Sequence, residues 1–332
     1  MYLYPRVVAA GNYSRVGLAR VIFEDGDPVG VERMGYVLEP TEGYERNERT
    51  AGVEDPRITY IAAIDTYVMA YAAYGPRAAL AVSDDAVSWR RLGLAKFADA
   101  PEYHTDFDLY VNKDVYLFPE PVRDPHGRLA LGMIHRPHYN MAWWLERGYH
   151  VQPTGIAEPH PSMWISYTPL DAVHADLRNL QFWYDHQLLA VPQQSWESLK
   201  IGGGTPPVLT HLGWLTIFHG VDGTLTPGTD HQRNVRYCVG VLILDRDDPR
   251  TVRYRSPTPS SHGSVIPLGA VQIGHERSAR GDDVDLVLGR IAFFSQARTM
   301  SYYRRVISAH TLVACAYQTS RTIMFVVCAH AQ

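Results

Sequence analysis

The sequence has few of the residues that mark several large classes of protein. It contains three cysteines, Cys238, Cys315 and Cys328, an odd and sparse set that argues against a disulfide-stabilised scaffold and is typical of a reducing compartment. Charged residues make up 20% of the 332 residues, and the net charge of -4 lacks the basic excess of a nucleic-acid-binding protein. We therefore expect a cytoplasmic protein with no nucleic-acid partner.

Long apolar runs are scarce as well. No stretch approaches the ~20 residues needed to span a membrane, and the opening MYLYPRVVAAGNYSRV lacks the apolar segment of a signal peptide. Hydrophobic residues nevertheless make up 46% of the chain, which is enough for a sizeable core. The composition predicts a folded protein with no membrane partner.

Aromatic residues and prolines are plentiful. The chain has 21 tyrosines, seven tryptophans and 22 prolines, and its aromatic and β-branched segments alternate with glycine, proline and aspartate. This pattern favours strands joined by turns. The best helical candidate, YTPLDAVHADLRNLQFW, is short, so we predict an all-β protein.

Similar strand-like segments recur along the chain. They begin at Tyr2, Tyr67, Leu129, Trp214 and Val284, at intervals of 65, 62, 85 and 70 residues. Five units of this size, each with enough strands for a small sheet, predict a five-bladed β-propeller. No linker divides the chain, so residues 1–332 are expected to form one domain. A two-sheet sandwich with long loops is the alternative.

Charged side chains stand at the edges of four apolar strands. Taken alone, such a residue is usually a turn former or half of an ion pair. One group in each of four predicted blades instead indicates a shared pocket at the centre of the ring. The four groups are Glu54, Asp55 and Arg57; Lys113, Asp114 and Glu120; His135 and Arg136; Lys200 and His219.

Several common kinds of site have no signature in the sequence. The 15 histidines include no H-E-x-x-H motif, and no C-x-x-C pair is present, so we expect no metal. The segment IGGGTPP is not a phosphate-binding P-loop, because no Gly-Lys-Ser/Thr follows its glycines. No G-x-S-x-G motif of a serine hydrolase occurs.

Five short blocks, in order, resemble glycoside hydrolase family 130, the β-mannoside phosphorylases and related mannosidases. The blocks are GVEDPRI, NKDVYLFPE, HRP, KIGGGTPPV with GWLTIFHGV, and YCVGVLILDRDDP, and they fall within about residues 1 to 250. The resemblance implies a five-bladed propeller that carries out inverting phosphorolysis of β-mannosides, β-1,2-linked ones above all, to α-mannose 1-phosphate. It also implies inorganic phosphate as co-substrate and no other cofactor.

The resemblance assigns roles to individual residues. Asp114 falls on the family's proton donor, and Asp55 and Arg57 fall on sugar-binding positions, with Lys113 also assigned to substrate. Arg136, His219 and Tyr237 fall on or near the group that holds phosphate. Lys200 falls near the same group and is assigned to substrate binding. An inverting hydrolase normally needs a second carboxyl group as a base, whereas phosphate is already a nucleophilic anion and needs only cations to hold it.

Some segments depart from the family pattern. LVLGRIA, which contains Gly289, has Ala292 where the family carries a sugar-contacting aspartate, and the segment from about residue 255 to 332 is atypical. Two alternatives therefore stay open: a β-mannosidase on the same fold, and a carbohydrate-binding propeller without catalysis. Trp143 and Trp144 are expected either to stack on sugar rings or to pack against a neighbouring subunit of a homo-oligomer.

Overall fold

A computed structural model of the chain describes residues 1–25, 27–46, 51–74, 77–139, 152–224, 234–259 and 328–329. Strands dominate these residues, and the prediction of an all-β fold is confirmed. The predicted helical segment forms one α-helix, α1 (Leu170–Ala175), followed by a 3-10 turn, Leu177–Gln181. The other 3-10 turns are Ala10–Asn12, Gly43–Glu45, Ala62–Ile64, Pro101–Tyr103, Phe107–Leu109 and Ser195–Glu197.

The first two large sheets are antiparallel and follow each other along the chain. Sheet 1 contains β1 (Tyr2–Leu3), β2 (Arg6–Ala9), β3 (Tyr13–Glu24) and β4 (Asp27–Leu38); β3 pairs with all three of the others. Sheet 2 is the meander β5 (Val53–Ile61), β6 (Thr66–Ala73), β7 (Arg77–Ser83) and β8 (Arg90–Leu94). Three short strands follow: β9 (Lys96–Phe97), β10 (Asp99–Ala100) and β11 (Thr105–Asp106), of which β10 and β11 pair with each other.

The next two sheets repeat this arrangement. Sheet 3 has the order β12 (Val111–Leu117), β14 (Leu129–His138), β15 (Met163–Pro169), β16 (Phe182–Ala190) and the parallel β9, with β13 (Val122–Arg123) beside β14. Sheet 4 has the order β17 (Lys200–Gly203), β19 (Gly213–Gly223), β20 (Val235–Leu244) and β21 (Val252–Arg255), with β18 (Val208–Thr210) beside β19. A last strand, β22 (Cys328–Ala329), runs parallel to β2.

Hydrophobic cores lie between consecutive sheets. In β6 the side chains alternate: Val68 and Ala70 belong to the core between sheets 2 and 3, and Met69 and Tyr71 to the core between sheets 1 and 2. A strand buried on both faces reads as an unbroken apolar run, as this one does. A third core, which includes Trp214, lies between sheets 3 and 4. The four large sheets among the described residues therefore pack as four blades of a propeller-like arrangement, not as a two-sheet sandwich.

The predicted repeats correspond to equivalent places in these blades. The segment from Tyr2 opens sheet 1, while those from Tyr67, Leu129 and Trp214 are β6, β14 and β19, each next to the first long strand of its sheet. The fifth repeat, from Val284, lies outside the described residues, so the count of five blades is not confirmed. No helix in the described ranges is long and apolar enough to cross a membrane.

Buried hydroxyl groups join neighbouring elements inside these cores. The hydroxyl group of Tyr116 in sheet 3 lies 3.1 Å from Oγ1 of Thr216 in sheet 4. The hydroxyl group of Tyr71 in sheet 2 donates to the carboxylate of Glu45 at 2.8 Å, and Arg91 donates to the same oxygen at 2.7 Å. A hydrogen bond to a charged group stabilises a protein more than one between neutral groups.

Replacing each tyrosine with phenylalanine is expected to show which of these two hydrogen bonds contributes more to the free energy of unfolding. Tyr116→Phe removes a neutral hydrogen bond and is expected to lower the free energy of unfolding by about 1 kcal/mol. Tyr71→Phe removes a donor from a fully buried carboxylate and is expected to cost about 2 kcal/mol. Urea unfolding followed by tryptophan fluorescence measures both, and an equal or reversed ranking would contradict the assignment.

Candidate active site

The innermost strands of sheets 2 and 3 carry the same irregularity. In β5 one extra residue lies between Glu54 and Arg57, and β12 has the same insertion just after Lys113. Asp55 and Asp114 stand inside these bulges with φ angles of 50° and 54°. Aspartate tolerates this left-handed backbone better than most residues, and a bulge turns a side chain away from the regular pleat. The repeated E-D-P-R and K-D-V-Y segments thus form matching bulges, each with an aspartate inside it.

The side chains of the candidate site converge on Asp114. Its Oδ2 atom lies 2.6 Å from Nε of Arg136 and 3.6 Å from Nε2 of His219, and its Oδ1 atom lies 3.3 Å from a terminal nitrogen of Arg57. These partners come from β14, β19 and β5, so three sheets meet at one carboxylate. The Asp114 side chain is only 7% exposed, and a carboxylate so deeply buried needs such partners.

The glycine run in KIGGGTPPV lets β17 approach this cluster. A Cβ atom on Gly202 would lie 2.1 Å from Oδ2 of Asp114 and 2.7 Å from Nε of Arg136, and a Cβ atom on Gly203 would lie 2.0 Å from the ring of Tyr116. A side chain has no room at either position, so these glycines are required by close packing against sheet 3.

The protonation states of the cluster follow from burial and neighbouring charges. Burial alone raises the pKa of the Asp114 carboxyl, but the guanidinium groups of Arg136 and Arg57 outweigh it and hold this pKa well below its usual range. Burial, together with Arg136 and Lys200, lowers the pKa of His219 to about 3. At neutral pH the site therefore contains an anionic Asp114 beside a neutral His219.

Lys200 and Tyr237 form a second part of the site. Both lie opposite Val221 of β19, one on each side, and Nζ of Lys200 is 5.5 Å from the centre of the Tyr237 ring. Burial, with Arg136 nearby, lowers the pKa of Lys200 to about 7, and burial raises the pKa of the Tyr237 hydroxyl. Near neutral pH, Lys200 therefore changes between its charged and uncharged forms. The Tyr237 hydroxyl stays protonated and is a neutral hydrogen-bond donor.

Arg57 joins sheet 2 to sheet 4. Its Nε atom and one terminal nitrogen donate to the carbonyl oxygens of Gly204 and Gly203, each at 3.0 Å, and its other terminal nitrogen donates to the carbonyl oxygen of Asp55 at 3.3 Å. With Asp114 as a further acceptor, most of the guanidinium is engaged within the protein. Arg57 thus fixes β5 relative to β17, and its role in binding sugar stays a prediction.

Arg6 of β2 holds the carboxylates of β5. Its two terminal nitrogens lie 2.8 Å from Oδ1 of Asp55 and 3.3 Å from Oε1 of Glu54. Burial raises the pKa of the Glu54 carboxyl. Burial acts in the same direction on Asp55, but Arg6 and Arg57 overcome it and lower the pKa of Asp55. Sheet 1 therefore contributes to the site through an arginine.

The structure brings most of the sequence-predicted residues together and separates two of them. The prediction of one charged group in each of four blades is wrong, because Asp114 on β12 and Arg136 on β14 belong to the same sheet. His135 is fully buried in sheet 3, where its ring nitrogens bond Asn112 and Ser166, and Glu120 is exposed in a turn. Trp143, Trp144, Gly289 and Ala292 lie outside the described residues. The roles assigned to the residues of the cluster (Asp55, Arg57, Lys113, Asp114, Arg136, Lys200, His219 and Tyr237) stay predictions.

Two residues near this cluster were not given a role from the sequence. Arg6 stands in the apolar segment YLYPRVVAA, where an arginine needs a buried partner. His138 is the second histidine of MIHRPHYN, two residues after Arg136 and so on the same face of β14. The sequence contains both residues, but their place in the site can be inferred only once the pairing of the strands is known. Within the described ranges, no cluster of three or more His, Cys, Asp or Glu side chains is arranged to hold a metal ion.

Substituting Gly202 is expected to disturb the cluster directly. Gly202→Ala places a methyl group against Asp114 and Arg136, and overpacking of this kind costs about 1–3 kcal/mol. Gly43→Ala is the matched control, because a Cβ atom there meets nothing within 4 Å. Urea unfolding of both variants measures the difference, and equal stabilities would contradict the close approach of β17.

Several known proteins have sequences related to this one. The sequence is 29% identical over 247 residues to a 1,2-beta-oligomannan phosphorylase of Thermoanaerobacter sp., covering 69% of this chain and 63% of the relative. It is 31% identical over 252 residues to a beta-1,2-mannobiose phosphorylase of the same organism, covering 74% and 62%. The chain thus spans less than two thirds of the length of these relatives.

A solved structure and a family model agree with these relatives. The structure of the Listeria innocua beta-1,2-mannobiose phosphorylase in complex with beta-1,2-mannobiose superimposes with a TM-score of 0.51 at 26% identity, covering 79% of this chain and 61% of that one. The family model described as beta-1,4-mannooligosaccharide phosphorylase matches residues 3–260. The chain belongs to glycoside hydrolase family 130.

Proposed function

We propose that this chain catalyses the inverting phosphorolysis of β-mannosides, β-1,2-linked mannobiose or oligomannan above all, and releases α-mannose 1-phosphate. The observation that carries the proposal is the buried carboxylate of Asp114, which lies among Arg57, Arg136 and His219. The named activities of the relatives, all of them mannoside phosphorylases, support the same reaction.

The reaction requires one proton donor and one phosphate anion bound in the correct position. A phosphate oxygen attacks the anomeric carbon from the face opposite the glycosidic bond, the bond to the leaving oxygen breaks, and the acid protonates that oxygen. We assign the acid to Asp114. The proposed hydrogen-bond donors to phosphate are Arg136, Lys200, His219 and Tyr237. Lys200 is assigned to substrate binding as well, beside Asp55, Arg57 and Lys113. No cofactor other than phosphate enters the proposal.

Phosphate also gives Asp114 the protonation state that an acid needs. In the site as described, Arg136 stabilises the carboxylate of Asp114 and keeps its pKa low. A phosphate anion bound to Arg136 offsets that positive charge and adds a negative charge nearby, so it raises the pKa of Asp114 and favours its protonated form. Protonation of the leaving oxygen is thereby coupled to the presence of the nucleophile.

The other carboxylates near Asp114 are poorly suited to activate water. Both Asp55 and Glu54 are paired with Arg6, and a base of an inverting hydrolase must stand free beside a water molecule. The paired state of these two groups favours phosphate over water as the nucleophile. No observation on the described residues favours the β-mannosidase or the non-catalytic alternative.

Several broader predictions accompany this function. We propose that the ring has five blades, because the fifth sequence repeat continues the spacing of the four that fall on described sheets. We also propose a single catalytic domain over residues 1–332, a cytoplasmic location, and small-molecule carbohydrate and phosphate as partners. A homo-oligomer stays open.

The decisive experiment is incubation with β-1,2-mannobiose, with and without inorganic phosphate. We expect mannose 1-phosphate only when phosphate is present, because the described part of the site supplies an acid, while the neighbouring carboxylates of Asp55 and Glu54 are paired with Arg6. Free mannose formed at the same rate without phosphate would identify a hydrolase instead. Binding of mannobiose without any product would identify a carbohydrate-binding protein.

Asp114→Asn tests the assignment of the acid. The amide keeps the shape of the side chain but cannot donate the required proton, so turnover is expected to fall by about 10²–10⁴-fold. Mannobiose binding, measured by calorimetry, is expected to change little. Turnover within a fewfold of the unsubstituted protein would remove Asp114 from this role.

The pKa of Lys200 predicts a pH dependence of phosphate binding. Lys200 is charged below its pKa of about 7 and loses its charge as the pH rises through that value. The KM for phosphate is therefore expected to rise by about tenfold between pH 6 and pH 8, beyond the effect of phosphate's own ionisation. In Lys200→Arg the charge is permanent, so this extra rise is expected to disappear. Parallel profiles for the two proteins would contradict the role of Lys200.

A further inference from the structure

Two buried nitrogen atoms in the site lack hydrogen-bond partners within the described residues. One is a terminal nitrogen, Nη1, of Arg136, and the other is Nε2 of His138. A buried polar atom without a partner is costly and therefore uncommon in folded proteins. Two such atoms in a candidate active site are explained most simply by a ligand that accepts from both.

The register of sheet 3 places the two side chains together. Arg136 and His138 are two residues apart on β14, so they share a face of the strand. On the neighbouring strand β12, Lys113 lies opposite Arg136 and Val111 lies opposite His138. His138 therefore extends the row that begins with Arg136 and Lys113.

The surroundings of His138 are cationic. Burial lowers the pKa of His138 well below its usual range, and Arg136, Lys200 and Lys113 lower it further, while Asp114 acts in the opposite direction. The imidazole ring is neutral as a result, and one ring nitrogen carries a hydrogen. A neutral donor can serve an anion here without adding a further positive charge to repel its neighbours.

We propose that Nε2–H of His138 donates a hydrogen bond to inorganic phosphate, beside Nη1 of Arg136. The proposal rests on the proposed function, and it adds a phosphate-binding residue to those assigned above. Two donors on one face of one strand, both buried and both without an acceptor among the described residues, define one side of the pocket that the anion fills. Their shared position next to Lys113 and Lys200 favours an anion over a sugar hydroxyl as the acceptor.

Two substitutions of His138 separate this role from a structural one. His138→Leu keeps bulk but removes the donor, and the KM for phosphate is expected to rise by about tenfold or more, since hydrogen bonds to charged groups are strong. The KM for the mannoside is expected to change by less than twofold. His138→Gln returns an N–H donor at a similar reach and is expected to recover most of the phosphate affinity. His211→Leu, at an exposed histidine outside the site, is the matched control and is expected to leave both KM values unchanged.

Direct titration of the protein with inorganic phosphate by calorimetry provides a readout independent of turnover. Weaker phosphate binding in His138→Leu that is restored in His138→Gln supports the proposal. It does so even if the unsubstituted protein forms no mannose 1-phosphate, because that result would contradict only the proposed reaction. Should His138→Leu fail to fold, His138→Asn replaces it, because its amide is too short to reach. An unchanged phosphate affinity, or a rise confined to the KM for the mannoside, would overturn the proposal.

Discussion

The ion pairing of Asp114 is the interaction on which the site depends. A carboxylate that is 7% exposed is stable only with close cationic partners, and here Arg57 comes from sheet 2 and Arg136 from sheet 3, with the neutral His219 of sheet 4 beside them. Its position therefore requires that β5, β12, β14 and β19 all pass close to one point. The bulge in β12 and the glycines of β17 are the local features that make this convergence possible.

The balance of charge in the site explains how so many bases are packed together. Arg6 is paired with Asp55 and Glu54, and Arg57 and Arg136 share Asp114. Two further bases reduce repulsion by giving up protons: the pKa of His219 is about 3 and that of Lys200 about 7. A bound anion would reverse this effect, because a negative charge favours the protonated forms of its neighbours. Phosphate binding and protonation of the site are in this way one linked equilibrium.

The sequence predicted the fold class and the neighbourhood of the site for clear reasons. Alternation within segments such as the one from Tyr67 indicates strands, and the recurrence of those segments indicates repeated sheets. Charged residues within or beside apolar strands, Asp114 and Arg136 among them, indicate a common pocket if the sheets form a ring. His135 shows the limit of that reasoning, because it precedes Arg136 directly, and adjacent residues of a strand point to opposite faces. It lies in the core of sheet 3, bonded to Asn112 and Ser166.

By itself, the sequence determined which residue types were available: an acid in a K-D-V-Y segment, a lysine before three glycines, and a histidine in an apolar strand. Tertiary structure alone decided which of them meet. Register fixed His138 on the same face as Arg136, and packing between sheets brought Arg57 to the carbonyl oxygens of Gly203 and Gly204. The protonation states of Lys200 and His219 were likewise decided by burial and by charges distant in the chain. The physical reason is that electrostatic and steric contacts depend on distances in space, which a linear order of residues does not contain.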